Sequence, residues 1–261
     1  MNIAIILAGG KGTRFGAVDA EGQAVPKQFV EVFGKPVIAY TIEVFQNHPD
    51  IDAIEIVCVE GYKEHLQSIK EKYGFSKIRW ITPGGKNFQE SVLNGVMALE
   101  RKANEEDVVL VNFGVNPIVS QEIISDCIKV TKEKGNAISA IDFYDISGRK
   151  KNGSSVGDKD NYTAEMIDRD SVAIMRTPYG FQYGFIRDAY QEALDKGILD
   201  EIEEHTTSML YALGKTMYFS LGSQANIKIT RKEDLDFFAG YVMWKNELGQ
   251  QKGKRWGLFA D

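Results

Sequence analysis

The sequence predicts an α/β fold with a mainly parallel sheet. Three observations lead there. Apolar, strand-like runs alternate with stretches of helical spacing through the first half of the chain, which is the pattern of successive β-α units. The first run, AIILAGGKGTRFG at residues 4 to 16, opens from a strand into a loop of glycines followed by fixed positive charge. The chain of 261 residues, 43% hydrophobic and 26% charged, is long and apolar enough to bury a full core.

The elements follow in order. Strands are expected near Ile3–Leu7, Ala53–Val59, Ile78–Thr82, Val108–Asn112 and Ala137–Ile141. Between them, Pro36–Phe45, Tyr62–Tyr73, Gln89–Lys102 and Gln121–Lys134 have helical spacing. Ser120 is the expected N-cap of the last helix and Gly135 its left-handed terminator. Right-handed crossovers place the loops after these strands along one sheet edge, where open α/β folds bind ligands. After Ile141 the rhythm breaks into SGRKKNGSSVGDKDN at 147–161, which reads either as a surface loop or as an extended arm reaching a second subunit. A helix near Phe185–Lys196, a strand near Met217–Leu221, the segment NIKIT at 226–230 and a helix from about Glu233 complete the chain. Residues 1–240 read as the folded domain, and 241–261 as a helix end and polar tail in which Trp256 and Phe259 would dock locally.

Charge and composition narrow the function. Lys and Arg total 31 against 37 Asp and Glu, a net charge of −6, so general binding to nucleic acid or to an anionic membrane has no support and any anion site is local. No apolar run approaches the ~18 residues of a membrane span, and the chain enters a strand without a signal-like segment, so a cytoplasmic protein is expected. Cys58 and Cys127 lack metal-site or disulfide spacing and read as packing residues. His48, His65 and His205 have no paired spacing, which argues against a histidine zinc site or a Ser-His-Asp triad.

The first loop carries the chemistry. Neither GGKGTR nor FGKPV fits a P-loop, and a dinucleotide fingerprint begun at Gly10 and Gly12 meets Phe15 where its third small residue belongs. What remains is Ala8, Gly9, Gly10, Lys11, Gly12, Thr13 and Arg14, where missing Cβ atoms let backbone N–H groups approach phosphate oxygens. Lys11 and Arg14 neutralise those oxygens, and Arg14 can hold two at once. Lys27, in Val25-Pro26-Lys27-Gln28-Phe29, follows within the same β-α connection and can meet the same polyphosphate. The combination suits a nucleoside triphosphate.

LAGGKGTR followed by PKQF resembles the start of the cytidylyltransferases that act on 2-C-methyl-D-erythritol 4-phosphate or ribitol 5-phosphate. Further landmarks are Gly84-Gly85-Lys86-Asn87-Phe88-Gln89-Glu90-Ser91-Val92-Leu93-Asn94-Gly95, Asp168-Arg169, Thr177-Pro178, and Gly222 to Thr230, which looks like that family's strand ending in N-I-K-[IV]-T. The resemblance implies a Rossmann-like sheet with flanking helices and a protruding β-arm, at 147–161, exchanged across a homodimer. It implies transfer of CMP from CTP to a polyol (alditol) phosphate, with release of pyrophosphate, Mg²⁺ as cofactor, and a place in isoprenoid or cell-surface polymer biosynthesis. It gives Arg14, Lys27 and Lys228 catalytic roles at the triphosphate and the charged site. Ala8, Gly9, Gly10, Lys11, Gly12, Gly85 and Ser91 would bind nucleotide, and Arg169 and Thr177 the acceptor.

The chain departs from that family where charge is expected. Phe113 stands at the place of a metal-side Asp and Asn116 at that of an acceptor-side Arg; Phe88 replaces another Arg, Tyr179 a Gln, and His205 an Asp. A phenyl ring cannot ligate Mg²⁺, so the metal ligand is unassigned. Three readings follow: triphosphate oxygens and water hold the metal with Asp142, Asp145 or another carboxylate moved into range, the base or acceptor differs, or the chain is a non-catalytic nucleotide-binding paralogue.

Overall fold

The computed structural model describes residues 1–10, 15–18, 22, 24–150, 155 and 162–250. In chain order the elements are β1 (Asn2–Ala8), β2 (Glu31–Val32), β3 (Lys35–Pro36), α1 (Val37–Gln46), β4 (Ala53–Cys58), α2 (Lys63–Tyr73), β5 (Ile78–Pro83), α3 (Phe88–Ala98) and β6 (Val108–Phe113). They continue with α4 (Gln121–Lys134), β7 (Asn136–Asp142), β8 (Ser147–Lys150), β9 (Thr163–Ile167), β10 (Ala173–Gln182), α5 (Tyr183–Asp195), α6 (Thr206–Ala212), β11 (Phe219–Leu221) and α7 (Lys232–Gln250).

A seven-stranded sheet has the order β11-β7-β10-β6-β1-β4-β5. β1 pairs in parallel with β4 and β6, β4 with β5, and β7 with β11. β10 runs antiparallel to both its neighbours, β6 and β7. The mainly parallel α/β fold expected from the sequence is therefore present.

Both faces of the central strands are covered, which is why β1 and β4 are buried at every residue. Ala4, Ile6, Ile54, Ile56 and Leu110 face Ile38, Ile42, Leu66, Ile124 and Cys127 of α1, α2 and α4. Ile3, Ile5, Val109 and Val111 face Val92, Val96, Ile186, Tyr190 and Met209 of α3, α5 and α6. A third cluster seats α7 by Phe238 and Val242 against Phe15, Val37, Val115 and Ile229. Cys58 and Cys127 are buried and free, as packing residues should be.

Local signals set several boundaries. Ser120 Oγ accepts from the Ile123 amide at 3.3 Å, and Gly135 ends α4 at φ 87°. The tight turn between β2 and β3 places Phe33 and Gly34 both at positive φ.

Four differences from the sequence expectation stand out. β10 is absent from it, because Pro178 reads as a turn signal; the strand tolerates the proline where its register against β7 shifts, between Met175 and Tyr179. α6 was likewise not anticipated. The Met217–Leu221 strand shortens to Phe219–Leu221. The segment 226–230 is not a strand: it crosses beyond the end of β6, where the Ile229 amide donates to Val115 O at 2.9 Å in place of a ladder. Of the expected arm, β8 and β9 form a two-stranded antiparallel ribbon, while 151–154 and 156–161 lie outside the described residues. So do Trp256 and Phe259.

Candidate active site

The carboxyl ends of the parallel strands β1, β4, β5 and β6 open into a cleft of about 870 Å³. The backbone around β1 shows how it forms. Past its end the Val59 amide donates to Ala8 O at 3.0 Å, and the Gly114 amide to Leu7 O at 2.8 Å, so the neighbouring chains hold both flanks while Gly9 and Gly10 continue into the cleft wall. Gln28, nearly fully buried, donates through both hydrogens of its amide nitrogen, to Ala8 O at 2.8 Å and Gly10 O at 2.9 Å. It therefore ties the short helical turn Lys27–Phe29 to the glycine loop and sets Lys27 on the same wall. Lys11, Gly12 and Arg14 lie outside the described residues.

A second wall is the turn entering α3. Asn87 Oδ1 accepts from the Glu90 amide at 2.8 Å, and Glu90 Oε2 accepts from the Lys86 amide at 2.8 Å, a reciprocal cap. Ser91 Oγ donates to Asn87 O at 2.8 Å and accepts from the Gly85 amide at 3.0 Å. The two glycine segments touch. A Cβ on Gly9 would sit 2.9 Å from Ser91 Oγ, and one on Gly85 would sit 2.5 Å from Glu90 Cβ. One on Gly84 would sit 3.0 Å from Gly9 Cα, so side chains are excluded here by the turn's own residues and by the facing backbone, and the loop and the turn form one surface lined by Gly9, Gly10, Gly84, Gly85 and Ser91.

The third wall is aromatic. Lys228 Nζ lies 3.8 Å above the centre of the Phe113 ring, so a cation-π contact occupies the place where a carboxylate was expected. Phe113 contacts Phe88 (5.3 Å between ring centres), Phe88 stacks on His205 (4.7 Å, 18°), and Tyr179 meets His205 edge-on (5.7 Å). Burial first, and then the Lys228 charge, pull the His205 imidazole below its ordinary pKa, with Glu203 opposing. The four ring-bearing departures thus form one contact cluster. The fifth, Asn116, is buried; it donates to Asn226 Oδ1 at 3.2 Å, and Asn226 donates to Thr177 O at 2.5 Å. That chain fixes the backbone two residues before Lys228.

The cleft brings together Gly9, Gly10, Lys27, Gly85, Ser91 and Lys228 of the residues singled out in the sequence. Ala8 sits buried at the end of β1, contributing the carbonyl that Gln28 holds. Thr177 is buried in β10 and does not line the cleft; Arg169 lies near the β8–β9 ribbon and donates to Tyr144 O at 3.2 Å. Gln28 and Asn226 are positioning residues that sequence reasoning missed. Gln28 stands in the PKQF motif and Asn226 opens the N-I-K-[IV]-T landmark, so both positions carried a signal, but not their positioning contacts, whose partners are distant in sequence.

Among the described residues no group of three or more His, Cys, Asp or Glu could hold a metal ion. The carboxylates on the cleft wall are Glu60 and Glu90, and one oxygen of Glu90 already caps α3. Asp142 lies at the end of β7 and lines a different surface recess, and Asp145 lies between β7 and β8, not on the cleft wall. Among the described residues the donor set does not fit a protein-held Mg²⁺ site.

Comparison with known proteins agrees with this architecture. Residues 2–243 match the family described as 2-C-methyl-D-erythritol 4-phosphate cytidylyltransferase, IspD. The chain is 35% identical to the ribitol-5-phosphate cytidylyltransferase of Lacticaseibacillus paracasei over 94% of its own length and 99% of that protein. It is 34% identical to the 2-C-methyl-D-erythritol 4-phosphate cytidylyltransferase of Clostridium tetani, covering 95% and 92% of the two chains. In fold it resembles the 4-diphosphocytidyl-2C-methyl-D-erythritol synthase of Anaerococcus prevotii, with a TM-score of 0.73 at 23% identity over 93% and 96% of the two chains. With its glycine loop, its capped turn and its strand order accounted for, this chain belongs to the IspD cytidylyltransferase family.

Proposed function

We propose that this protein transfers CMP from CTP to the phosphate of a polyol phosphate and releases pyrophosphate. The observation that carries the reading is the convergence of the Gly9–Gly10 loop, Lys27, the Gly85–Ser91 turn and Lys228 on one cleft at the carboxyl edge of the sheet. An anionic oxygen of the acceptor phosphate attacks the α-phosphorus of CTP; the bond from that phosphorus to the bridging oxygen breaks, and its electron pair leaves with pyrophosphate. An already ionised acceptor needs no general base, so position and positive charge lower the barrier. Lys27 and Arg14 neutralise the triphosphate, backbone N–H groups of the loop from Gly9 to Gly12 cradle it with Lys11, and Gly85 and Ser91 border the base. Lys228 meets the acceptor phosphate. Thr177 acts indirectly, by holding Asn226 through its carbonyl. Mg²⁺ enters with the nucleotide as part of the substrate, in keeping with its habit of taking few protein ligands.

The same reading includes a homodimer in which the β8–β9 ribbon of one subunit brings Arg169 towards the partner's cleft. Exposed Tyr144, Ile146 and Met166 on and beside the ribbon support it, since three large apolar side chains clustered at a protrusion gain from being covered. The test of function is pyrophosphate release from CTP, ATP, GTP and UTP with ribitol 5-phosphate, 2-C-methyl-D-erythritol 4-phosphate and other phosphorylated polyols. CTP-selective, acceptor-dependent release is expected. Equal release from all four nucleotides, or release independent of acceptor, would overturn the reading.

A further inference from the structure

Lys27 stands at the head of a turn too short to hold itself. The turn Lys27–Phe29 is three residues long, has no side-chain cap and closes on two backbone bonds, from the Phe29 amide to Pro26 O at 2.8 Å and from the Val30 amide to Lys27 O at 3.3 Å. Its direction is therefore set from outside. Gln28 ties one side to the glycine loop. The other side is Phe29, nearly fully buried, whose ring lies flat against that of Tyr62 with 4.7 Å between centres and 10° between planes. His65, in the first turn of α2, meets both rings edge-on, 5.1 Å from Phe29 and 6.1 Å from Tyr62 between centres. Tyr62 is itself fixed to the cleft: its amide donates to Val59 O at 3.3 Å, its carbonyl accepts from the Leu66 amide at 2.9 Å, and Val59 and Glu60 line the cleft wall. Building on the cytidylyl transfer proposed above, we infer that Tyr62 is a positioning residue for that reaction: through its stack on Phe29, steadied by His65, it aims Lys27 at the triphosphate.

The two anchors act differently. The hydrogen bonds of Gln28 pin the turn at one point, whereas a ring face gives it a plane, because stacked rings have a preferred separation and tilt that an aliphatic contact of equal area lacks. His65 is exposed and Tyr62 only half-buried, so the two outer rings add little to the core they border, while their geometry bears directly on residue 29. The attraction of a lysine charge for a triphosphate is long-ranged and survives a shift of about an ångström. Stabilising the charge that builds on the leaving pyrophosphate does not, since a preorganised cation counts by where it stands in the transition state. A loosened stack therefore lowers kcat more than it raises KM for CTP.

The experiment is a double-mutant cycle on the full chain: wild type, Tyr62→Leu, Lys27→Ala and the two combined. It reads kcat and KM for CTP from pyrophosphate release at saturating Mg²⁺ and saturating ribitol 5-phosphate or 2-C-methyl-D-erythritol 4-phosphate, whichever is the faster acceptor, with unfolding scans alongside. Tyr62→Leu should lower kcat by about tenfold and raise KM by no more than about threefold, and Tyr62→Phe, which keeps the ring, should stay within about twofold of wild type. In the Lys27→Ala chain, Tyr62→Leu should cost less than about twofold, because nothing remains for the stack to aim. An equal loss with and without Lys27, a loss confined to KM, or an unchanged kcat overturns the inference. Should Tyr62→Leu fail to fold, His65→Ala takes its place in the same cycle, with an expected loss in kcat of about threefold. If wild type releases no pyrophosphate with any acceptor, the transfer reading fails by itself. The positioning is then judged by calorimetric titration of CTP with Mg²⁺ into the same four proteins: an affinity loss of about threefold from Tyr62→Leu that disappears in the Lys27→Ala chain keeps the inference, and an equal or absent loss ends it.

Discussion

Replacing Gln28 by methionine separates the shape of the nucleotide loop from its charge. Methionine keeps the length and bulk of the buried side chain but removes the two hydrogen bonds to Ala8 O and Gly10 O, at 2.8 and 2.9 Å. The two acceptors do not suffer equally. Ala8 O keeps the Val59 amide at 3.0 Å, and Gly10 is exposed, so water can take its carbonyl. The stability loss is therefore that of two ordinary hydrogen bonds without an orphaned group, about 1–2 kcal/mol. For a chain of this size that lowers Tm by roughly 2–6 °C. The functional loss is larger in proportion, because Gly9 and Gly10 no longer present their amides in one fixed array. A Kd for CTP raised about tenfold corresponds to about 1.4 kcal/mol, one well-oriented contact. Calorimetric titration of CTP into wild type and Gln28→Met, with unfolding scans of both, measures the two quantities. A lowered Tm with unchanged CTP affinity would refute the positioning role, and no change in either would show that the two bonds contribute nothing net.

Glu55, fully buried in β4 with Thr82 Oγ1 donating to it at 2.5 Å, is pushed up by burial from 4.5 to about 7, against the pull of the Thr82 bond and the Lys102 charge. Because the folded state holds this proton more tightly, stability is greatest below pH ~4.5, falls as pH rises towards ~7 and is flat above; the loss reaches at most about 3 kcal/mol, and Glu55→Gln, which still accepts from Thr82, should remove the slope in urea titrations at pH 5 and 8. The Gly85→Ala methyl would meet Glu90 Cβ at 2.5 Å, so the turn must open and CTP affinity should fall by about tenfold or more, as read by fluorescence competition; unchanged affinity would remove the turn from the nucleotide site. Arg14→Ala should cost about 10²–10³ in kcat while leaving Tm without ligand near wild type, and normal turnover would end its assigned role. Deleting residues 151–157 should convert a dimer to monomer in light scattering and impair acceptor use more than CTP binding; a wild-type monomer at high concentration would dispose of the arm.

Much of the fold was legible because its signals are local. The buried strands β1, β4 and β6 are mainly apolar runs, broken inside only by Glu55 and Asn112, α4 carries its own cap and terminator, and the glycine loop has the composition of a close backbone approach. β10 was not legible, since its proline, glycine and polar residues make sense only where β6 and β7 sandwich the strand across a register shift. The site divides the same way. Gly9, Gly10, Lys27, Gly85, Ser91 and Lys228 could be named from motif and order along the chain, and the cleft brings all six together.

The sequence by itself determined the α/β class, the strand ends that would bear the ligand and the residue types that would meet a triphosphate, because periodicity, glycine placement and charge are properties of neighbouring residues. Only the tertiary structure decided how the departures resolve. Phe88, Phe113, Tyr179 and His205 are scattered along the chain and looked like separate losses of charge, yet they meet ring to ring, and the Lys228 ammonium lies over Phe113. Asn116 in place of an arginine is likewise partnered by Asn226, more than a hundred positions away in the sequence. Contacts of that range depend on how the crossovers fold back over the sheet edge, so no window of sequence contains them.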